Sequence, residues 1–434
     1  MKLAVIIGTR PQFIKLAALV PALRQKGLRF FIVRTGQHYD DRLSDAFLRE
    51  FSLPETKYDL RIRDPEKRAR YDAGRLSFGS HVAEVLVGVR ELVPILKEER
   101  ATHVVVIGDS NPAVNGARAA GDLKLPVVHC EAGLRSDDPD AEEEQNRVEI
   151  DHYAAMHLCS TERNKARIQR EVAGSRPIFT GDLLLDVFRR FRKFTRRPFH
   201  WPSLRSNEQV CLLTIHRTEN IRNPSRSLRI LEHLLRSWGG PVVWPVHPSA
   251  ERFAVRLRDH LPSSVSRNLY LLDPATYMEL NYIRCRTGAV ITDSVGLQVE
   301  SYFWKTPCLV VRDNVEHSEL LECGASVSLK PSKIEPERVP TVAEFCVQAL
   351  RNTRHSSFIG DLFGRYDVGC VMADSISRID SFSDPGELEA RERRASSQIW
   401  QLPGDSLGRA ANLLGGSWNS LLAQYSPNSI RKER

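Results

Sequence analysis

The sequence predicts an α/β protein made of two doubly wound domains, each a parallel sheet covered by helices on both faces. Short apolar runs recur along the chain with helical patterns between them, and their continuous hydrophobicity marks strands buried on both sides. The runs fall into two series divided by Arg196-Arg-Pro-Phe-His-Trp-Pro-Ser203, a segment that neither propagates a helix nor fits a central strand. A chain of 434 residues also exceeds what one ordinary core fills.

In order, the first series places strands at Leu3 to Ile7, Phe30 to Arg34, Val104 to Ile107, Val127 to Cys130 and His157 to Cys159. A helix over Phe13 to Leu23 follows the first of them. The second series runs through Val210 to Ile215, Val242 to Val246, Leu269 to Leu272, Ala289 to Thr292 and Cys308 to Val311. The expected domains are therefore 1–190 and 205–365. Residues 366–380 read as a terminal helix able to return to the N-terminal domain, and 381–434 as an extension. In that extension Glu387 to Arg394 is a charged helical patch. Gly, Ser, Asn and the isolated Trp400 and Trp418 follow it, as in a docking helix or a partly disordered tail. Ligands of doubly wound sheets bind beyond the carboxyl ends of the strands, where the charged motifs of this chain fall, so a ligand cleft between the domains is expected.

Hydrophobic content of 41% and charged content of 27% are those of a soluble globular protein. The opening Met1-Lys-Leu-Ala-Val-Ile-Ile-Gly8 has too short an apolar run for a signal peptide and reads as a strand. No stretch approaches the roughly 18 apolar residues that span a bilayer. The eight cysteines are scattered, without C-x-x-C or ligand-like His/Cys spacing, which points to a reduced, cytoplasmic enzyme without structural zinc. Part of the net charge of +8 is local, in Arg189-Arg-Phe-Arg-Lys-Phe-Thr-Arg-Arg197, a run that could touch nucleic acid or anionic lipid. No nucleic-acid fold signature accompanies it, so it reads as a solvated helix end, and neither a nucleic-acid partner nor membrane insertion is expected.

The densest charge lies in Glu131-Ala-Gly-Leu-Arg135 and Glu142-Glu-Glu-Gln-Asn-Arg147, downstream of Gly108-Asp109-Ser110. Unpaired buried carboxylates are costly, so this density at strand ends suggests chemistry on a charged substrate. Asp109, Glu131 and one of Glu142, Glu143 and Glu144 could form a cluster whose members raise one another's pKa, as proton transfer near neutral pH requires. For at least two of the three consecutive glutamates, the competing reading is acidic residues in a helix first turn.

Gly8-Thr-Arg-Pro-Gln12 follows the first strand and opens a helix, so Arg10 sits beside an anion-binding N-terminus, or else on an ordinary turn. G-x-G-x-x-G is absent, and NAD is not implied. In the second half, Ser294 of Asp293-Ser-Val-Gly-Leu-Gln-Val-Glu300 can cap a helix whose first amides meet a phosphate, and Gly296 permits close approach. Glu300 could take a ribose diol, the alternative being a plain N-cap with an exposed glutamate. His216 and Arg217 end the first strand of that half beside Glu219 and Asn220, as phosphate-binding or proton-transferring groups. His247 in Pro245-Val-His-Pro248 either lines the site or is structural.

Together these pieces resemble the non-hydrolysing UDP-N-acetylglucosamine 2-epimerase family. The matching stretches are GTRPQFIK, TGQHYD, GDS, HCEAGLRS, EEEQNR, TGD, HRTEN, PVHP, TDSVGLQVE and RDNVEHSE, over residues 1 to about 375. The resemblance implies two Rossmann-like domains in the glycosyltransferase-B arrangement, a homodimer, and inversion of carbon 2 of a UDP-linked 2-acetamido sugar without metal, NAD or other cofactor. It makes Asp109, Glu131, Glu143 and His216 the catalytic set, with Glu143 chosen because EEQNR aligns with the family's EE-x-NR. It gives the diphosphate to Arg10, His216, Ser294 and Gly296, and the ribose to Glu300. Gln37 and His38 fall near the sugar, and Arg135, Arg147, Arg217, His247, Val295 and Arg312 complete the substrate-binding set.

The chemistry accounts for these residue types. The hydrogen on carbon 2 is hardly acidic until departure of UDP gives the ring oxocarbenium character. Cationic and helix-terminal groups then stabilise the leaving diphosphate while a carboxylate takes the proton. The resulting 2-acetamidoglucal is re-protonated on its other face, so two differently placed acid/base groups are needed. Against the family pattern, Gln12 replaces a glutamate, Glu142 a proline, and Val295 a glycine, while E-R-P-E becomes Glu316-His317-Ser318-Glu319. Gln12 also occurs in relatives acting on diacetamido uronic acid sugars, which opens carbons 3 and 6 to modification. The expected product is a ManNAc-type precursor for a cell-surface or secondary-metabolite glycan. The rivals are a hydrolysing 2-epimerase releasing UDP and free ManNAc, a glycosyltransferase-B enzyme, and a catalytically silent sugar-nucleotide-binding protein.

Overall fold

A computed structural model describes residues 1–36, 47–63, 80–205, 209–222, 224–353, 355–358 and 360–379. They form two compact units, Met1–Asp186 joined by the stretch from Leu362 on, and Val187–Asp361. The residues of the 381–434 extension, like Gln37 and His38, lie outside the described set.

The first unit alternates strand and helix: β1 (Lys2–Ile7), α1 (Arg10–Gln25), β2 (Arg29–Arg34), β3 (Tyr58–Asp59), α2 (Ser80–Glu98), β4 (His103–Ile107) and α3 (Asn111–Asp122). It continues through β5 (Val127–Cys130), α4 (Glu142–Tyr153), β6 (Ala154–Cys159), α5 (Glu162–Glu171), β7 (Ile178–Phe179) and the first turn of α6 (Leu183–Phe191), a helix that crosses the boundary after Asp186. All pairings are parallel and the sheet order is β3-β2-β1-β4-β5-β6-β7. The central strands are continuous apolar runs because both faces are covered; Leu3 to Ile7 are all 0% exposed. Gly116 on α3 permits the close seating of that helix, since a Cβ there would come within 2.8 Å of Val106 and 3.0 Å of Ile6.

The second unit contains β8 (Val210–Thr214), α7 (Pro224–Trp238), β9 (Val242–Pro245), α8 (Glu251–His260), β10 (Leu269–Leu272) and α9 (Tyr277–Arg284). After these come β11 (Thr287–Thr292), α10 (Val295–Phe303), β12 (Cys308–Val311), β13 (Ser326–Leu329) and α11 (Val339–Arg351), with short helical turns between. Its parallel sheet runs β10-β9-β8-β11-β12-β13. A last helix, α12 (Val368–Ser377), belongs to the first unit. Asp367 caps it by accepting the Cys370 amide, Asp186 accepts the Gly369 amide at 2.8 Å, and Gly369 lets it close onto Ala18 of α1.

Both sheets reverse strand order once, between β1 and β4 and between β8 and β11. The crevice beyond the strand ends at such a point is where doubly wound folds bind ligands. Among the described residues, no helix is long and apolar enough to cross a membrane. The dividing segment from Arg196 to Ser203 has no regular element; the Arg196 amide donates to Met278 O, and Trp201 packs edge-on against Tyr282. α1 begins at Arg10 rather than Phe13, because Pro11 is admitted in the first turn and Gln12 closes a capping box with Thr9. Three edge strands escaped the sequence reading. β3 and β7 have two residues each, and β13 (Ser-Val-Ser-Leu) is half polar.

Candidate active site

In the first unit, the loops after β1 and β4 are fastened together by Gln12. Its Oε1 accepts the Gly8 and Thr9 amides at 2.7 and 3.0 Å, and its Nε2 donates to Ile107 O at 2.8 Å and Ser110 Oγ at 2.9 Å. The two donations need an amide, because a carboxylate has no hydrogen to give. Arg10 stands in the first turn of α1, its guanidinium 4.9 Å from the centre of the Phe47 ring.

Glu131 directly follows β5 with φ of +73° and pairs with the buried Lys15 of α1. A Cβ on Gly108 would come within 3.2 Å of Glu131 Oε2, so the carboxylate lies directly under the loop carrying Asp109. Burial raises the Glu131 pKa; Lys15 opposes this, and Asp182 and Asp109 reinforce it. For Lys15, burial works against the charge, but Glu131 and Asp182 outweigh it and hold the ammonium above the ordinary lysine value. Lys15 thus stays cationic beside a carboxyl poised closer to neutrality than usual.

Asp109 receives Arg147 Nη2, and Asn146 Nδ2 holds the Asp109 carbonyl at 2.8 Å. The three consecutive glutamates part company here. Glu144 is buried and fully engaged, accepting the Ser136 amide and hydroxyl and Arg147 Nη1 at 2.7, 3.0 and 3.1 Å. It anchors a loop. Glu142 is exposed and Glu143 half-buried, both in the first turn of α4.

Behind these groups lies a buried constellation that the sequence did not announce. His129 Nδ1 meets Asp151 at 2.7 Å and its Nε2 meets Gly108 O at 3.0 Å. Asp151 also takes Arg135 Nη1 at 2.8 Å and the Gly133 amide at 3.2 Å. Burial would raise the Asp151 pKa, but Arg135 and then His129 reverse this and hold it well below the usual carboxylate range. The Arg135 guanidinium is 3% exposed and also binds Glu171. It braces the loop after β5. Arg147, spent on Asp109 and Glu144, is likewise a brace.

In the second unit, β8 and β11 deliver His216 and Ser294 to adjacent strand ends. Asp293, 0% exposed, accepts the amides of His216 and Arg217 at 3.0 and 2.9 Å and Asn220 Nδ2 at 3.0 Å. His216 Nδ1 lies 3.2 Å from the same carboxylate. Ser294 caps α10 by accepting the Leu297 amide at 3.4 Å, which places Val295 and Gly296 in the first turn. Glu300 is not the exposed glutamate of the plain-cap reading: it is buried and paired with Arg284 of α9. His247 lies after β9 with its ring centre 5.6 Å from that of His216. Arg312 is occupied by Glu316 at 2.6 Å and Glu219 at 3.3 Å.

Lys15, Asp182, Arg284 and Asp293 were missed as site residues. Lys15 carried a signal, since it lies one helical turn beyond Pro11 in the quoted GTRPQFIK stretch. Asp293 carried one too, as the residue just past β11. Arg284 carried none.

A family model described as UDP-N-acetylglucosamine 2-epimerase matches residues 21–354. The chain is 31% identical over 365 residues to a UDP-N-acetylglucosamine 2-epimerase of Methanocaldococcus jannaschii, covering 82% of this chain and 94% of the relative. It is 32% identical over 333 residues to the UDP-2,3-diacetamido-2,3-dideoxy-D-glucuronate 2-epimerase of Pseudomonas aeruginosa, covering 75% and 88%. Among solved structures, the Methanocaldococcus jannaschii UDP-GlcNAc 2-epimerase in complex with UDP-GlcNAc and UDP superposes with a TM-score of 0.72 at 29% identity, covering 88% of this chain and all of that one.

Proposed function

The chain belongs to the UDP-N-acetylglucosamine 2-epimerase family, and from that premise we propose that it converts UDP-GlcNAc, or an analogue modified on the sugar, to the manno epimer by eliminating UDP and adding it back. The observation that carries this reading is the pairing of Asp109 with Arg147 and of Glu131 with Lys15 at the strand-order reversal of the first sheet. Proton transfer on opposite faces of one carbon needs two carboxyls whose protonation differs. Glu131, buried beside Lys15 with its pKa raised, and Asp109, partly exposed beside Arg147, stand in different environments.

In the proposed cycle, a carboxylate takes the proton from carbon 2 as the bond from carbon 1 to the phosphate oxygen breaks, its electron pair leaving on UDP. Another of Asp109, Glu131 and Glu143 returns a proton to the opposite face as UDP adds back. His216 and the amides at the start of α10 receive the diphosphate, and Glu300 the ribose.

A homodimer in the cytoplasm completes the proposal. The resemblance supports the dimer, and the eight unpaired thiols suit a reducing compartment. Incubation with UDP-GlcNAc in heavy water tests the chemistry. Deuterium at carbon 2 of both UDP-linked epimers is expected; stoichiometric UDP and free ManNAc would sink the non-hydrolysing reading. UDP binding without any exchange would leave only a binding role. A panel of UDP-sugars followed by NMR fixes the substituents at carbons 3 and 6.

A further inference from the structure

His216 and His247 are each tied at Nδ1, but to partners of opposite kind. His216 Nδ1 faces Asp293 Oδ1 at 3.2 Å, in a carboxylate that already collects N–H groups from His216, Arg217 and Asn220. A carboxylate receiving those donors acts as an acceptor, so this Nδ1 bears a hydrogen. At His247 the polarity reverses. The Ser249 backbone N–H, which can only donate, meets His247 Nδ1 at 3.2 Å, with Ser249 Oγ at 2.7 Å from the same nitrogen. That nitrogen accepts, and the ring hydrogen sits on Nε2.

We propose that these contacts fix the two imidazoles in opposite tautomers. His247 is then a neutral Nε2–H donor to a phosphate oxygen. His216 is the one ring of the pair that takes up and releases a proton, with Asp293 as its positioning residue. The proposal rests on the placement of the diphosphate at His216 and α10 given above. Protonating His247 would require Nδ1 to surrender the Ser249 amide, whereas protonating His216 at Nε2 creates an imidazolium beside a buried carboxylate. With ring centres 5.6 Å apart, one charge also opposes a second. As the bond from carbon 1 to the phosphate oxygen breaks, its electron pair goes to that oxygen. His216, protonated at Nε2 from solvent before the step, gives that proton to the oxygen and becomes the neutral Nδ1–H tautomer, and it takes the same proton back when UDP adds back. His247 keeps its proton throughout.

The test is long-range proton–nitrogen NMR on the full chain labelled with 15N-histidine, on the alkaline side where the rings are neutral. His216→Gln and His247→Gln assign the two signals. A δ-protonated His216 and an ε-protonated His247 are expected, and any other pairing in the unaltered protein overturns the proposal. Asp293→Asn, which replaces an acceptor by an amide able to donate, should move His216 toward the ε tautomer. It should lower kcat by roughly a hundredfold or more, with KM changed far less. A tautomer switch without loss of kcat would overturn the positioning role. His247→Gln keeps an N–H donor and should act mainly on KM. Full turnover by His216→Gln would overturn the proton-carrying role, and with it the underlying site assignment, whatever tautomers are measured.

Discussion

Lys15 and Glu131 form a buried ion pair between α1 and the end of β5, each side chain only about a tenth exposed. Removing one partner strands the other charge away from water, which for buried pairs costs about 3–5 kcal/mol. Lys15→Met should destabilise the chain by about that much and abolish deuterium incorporation at carbon 2. Lys15→Met combined with Glu131→Gln should recover most of the stability and none of the exchange. Urea unfolding and NMR of the exchanged sugar check both halves, and exchange returning in the double variant would remove Glu131 from the mechanism.

The Asp151 carboxyl gives a pH signature. Its folded pKa lies below the unfolded value of about 3.9. Its contribution to stability is therefore fully present above that pH and is lost as pH falls through the folded value. Asp151→Asn should cost at least about 1.5–3 kcal/mol at neutral pH, the worth of hydrogen bonds to a charged group. The gap from the unaltered protein should narrow steadily below about pH 3.9. Unfolding midpoints measured from pH 7 downward check it, and a gap independent of pH would mean that Arg135 and His129 do not act through the charge.

How far the fold could be read from sequence follows from burial. β1 and β8 were legible because both faces are covered and the apolar run is unbroken, whereas β3, β7 and β13 are edges too short or too polar to leave a pattern. The candidate site was legible where charged groups gather just past a strand end, as at Glu131 and His216. It was not legible where charge is spent internally. Nothing around Arg135 in the sequence shows that its guanidinium pairs with Asp151, sixteen positions on. Glu144 is indistinguishable from Glu143 in a run of three until the Ser136 loop closes onto it.

Gln12 illustrates the same limit in the other direction. Its departure from the family's glutamate read as a mark of the sugar, yet its amide is committed to Ile107 O and Ser110 Oγ. Gln12→Glu should leave the Ile107 carbonyl without its donor, while the Ser110 hydroxyl can turn to donate to the new carboxylate, and cost about 1–3 kcal/mol. Turnover should fall with it, but the order of preference in a UDP-sugar panel should be unchanged. A changed order would return Gln12 to a part in choosing the sugar.

Arg284 and Glu300 pair on neighbouring helices of the second unit, both largely buried. If Glu300 takes the ribose diol, Arg284 sets the direction of its carboxylate through their ion pair. Arg284→Gln should therefore weaken UDP binding by about tenfold or more, equivalent to roughly 1.4 kcal/mol. In turnover it should raise KM more than it lowers kcat. Glu300→Gln should weaken UDP similarly, and the double variant should be little worse than either single one, because the two residues act as one unit. Calorimetric titration with UDP against UMP and 2′-deoxy-UDP reads this directly. A loss that is equal for the ribose and deoxyribose nucleotides would place the pair in the core of α9 and α10 and not at the sugar of the nucleotide.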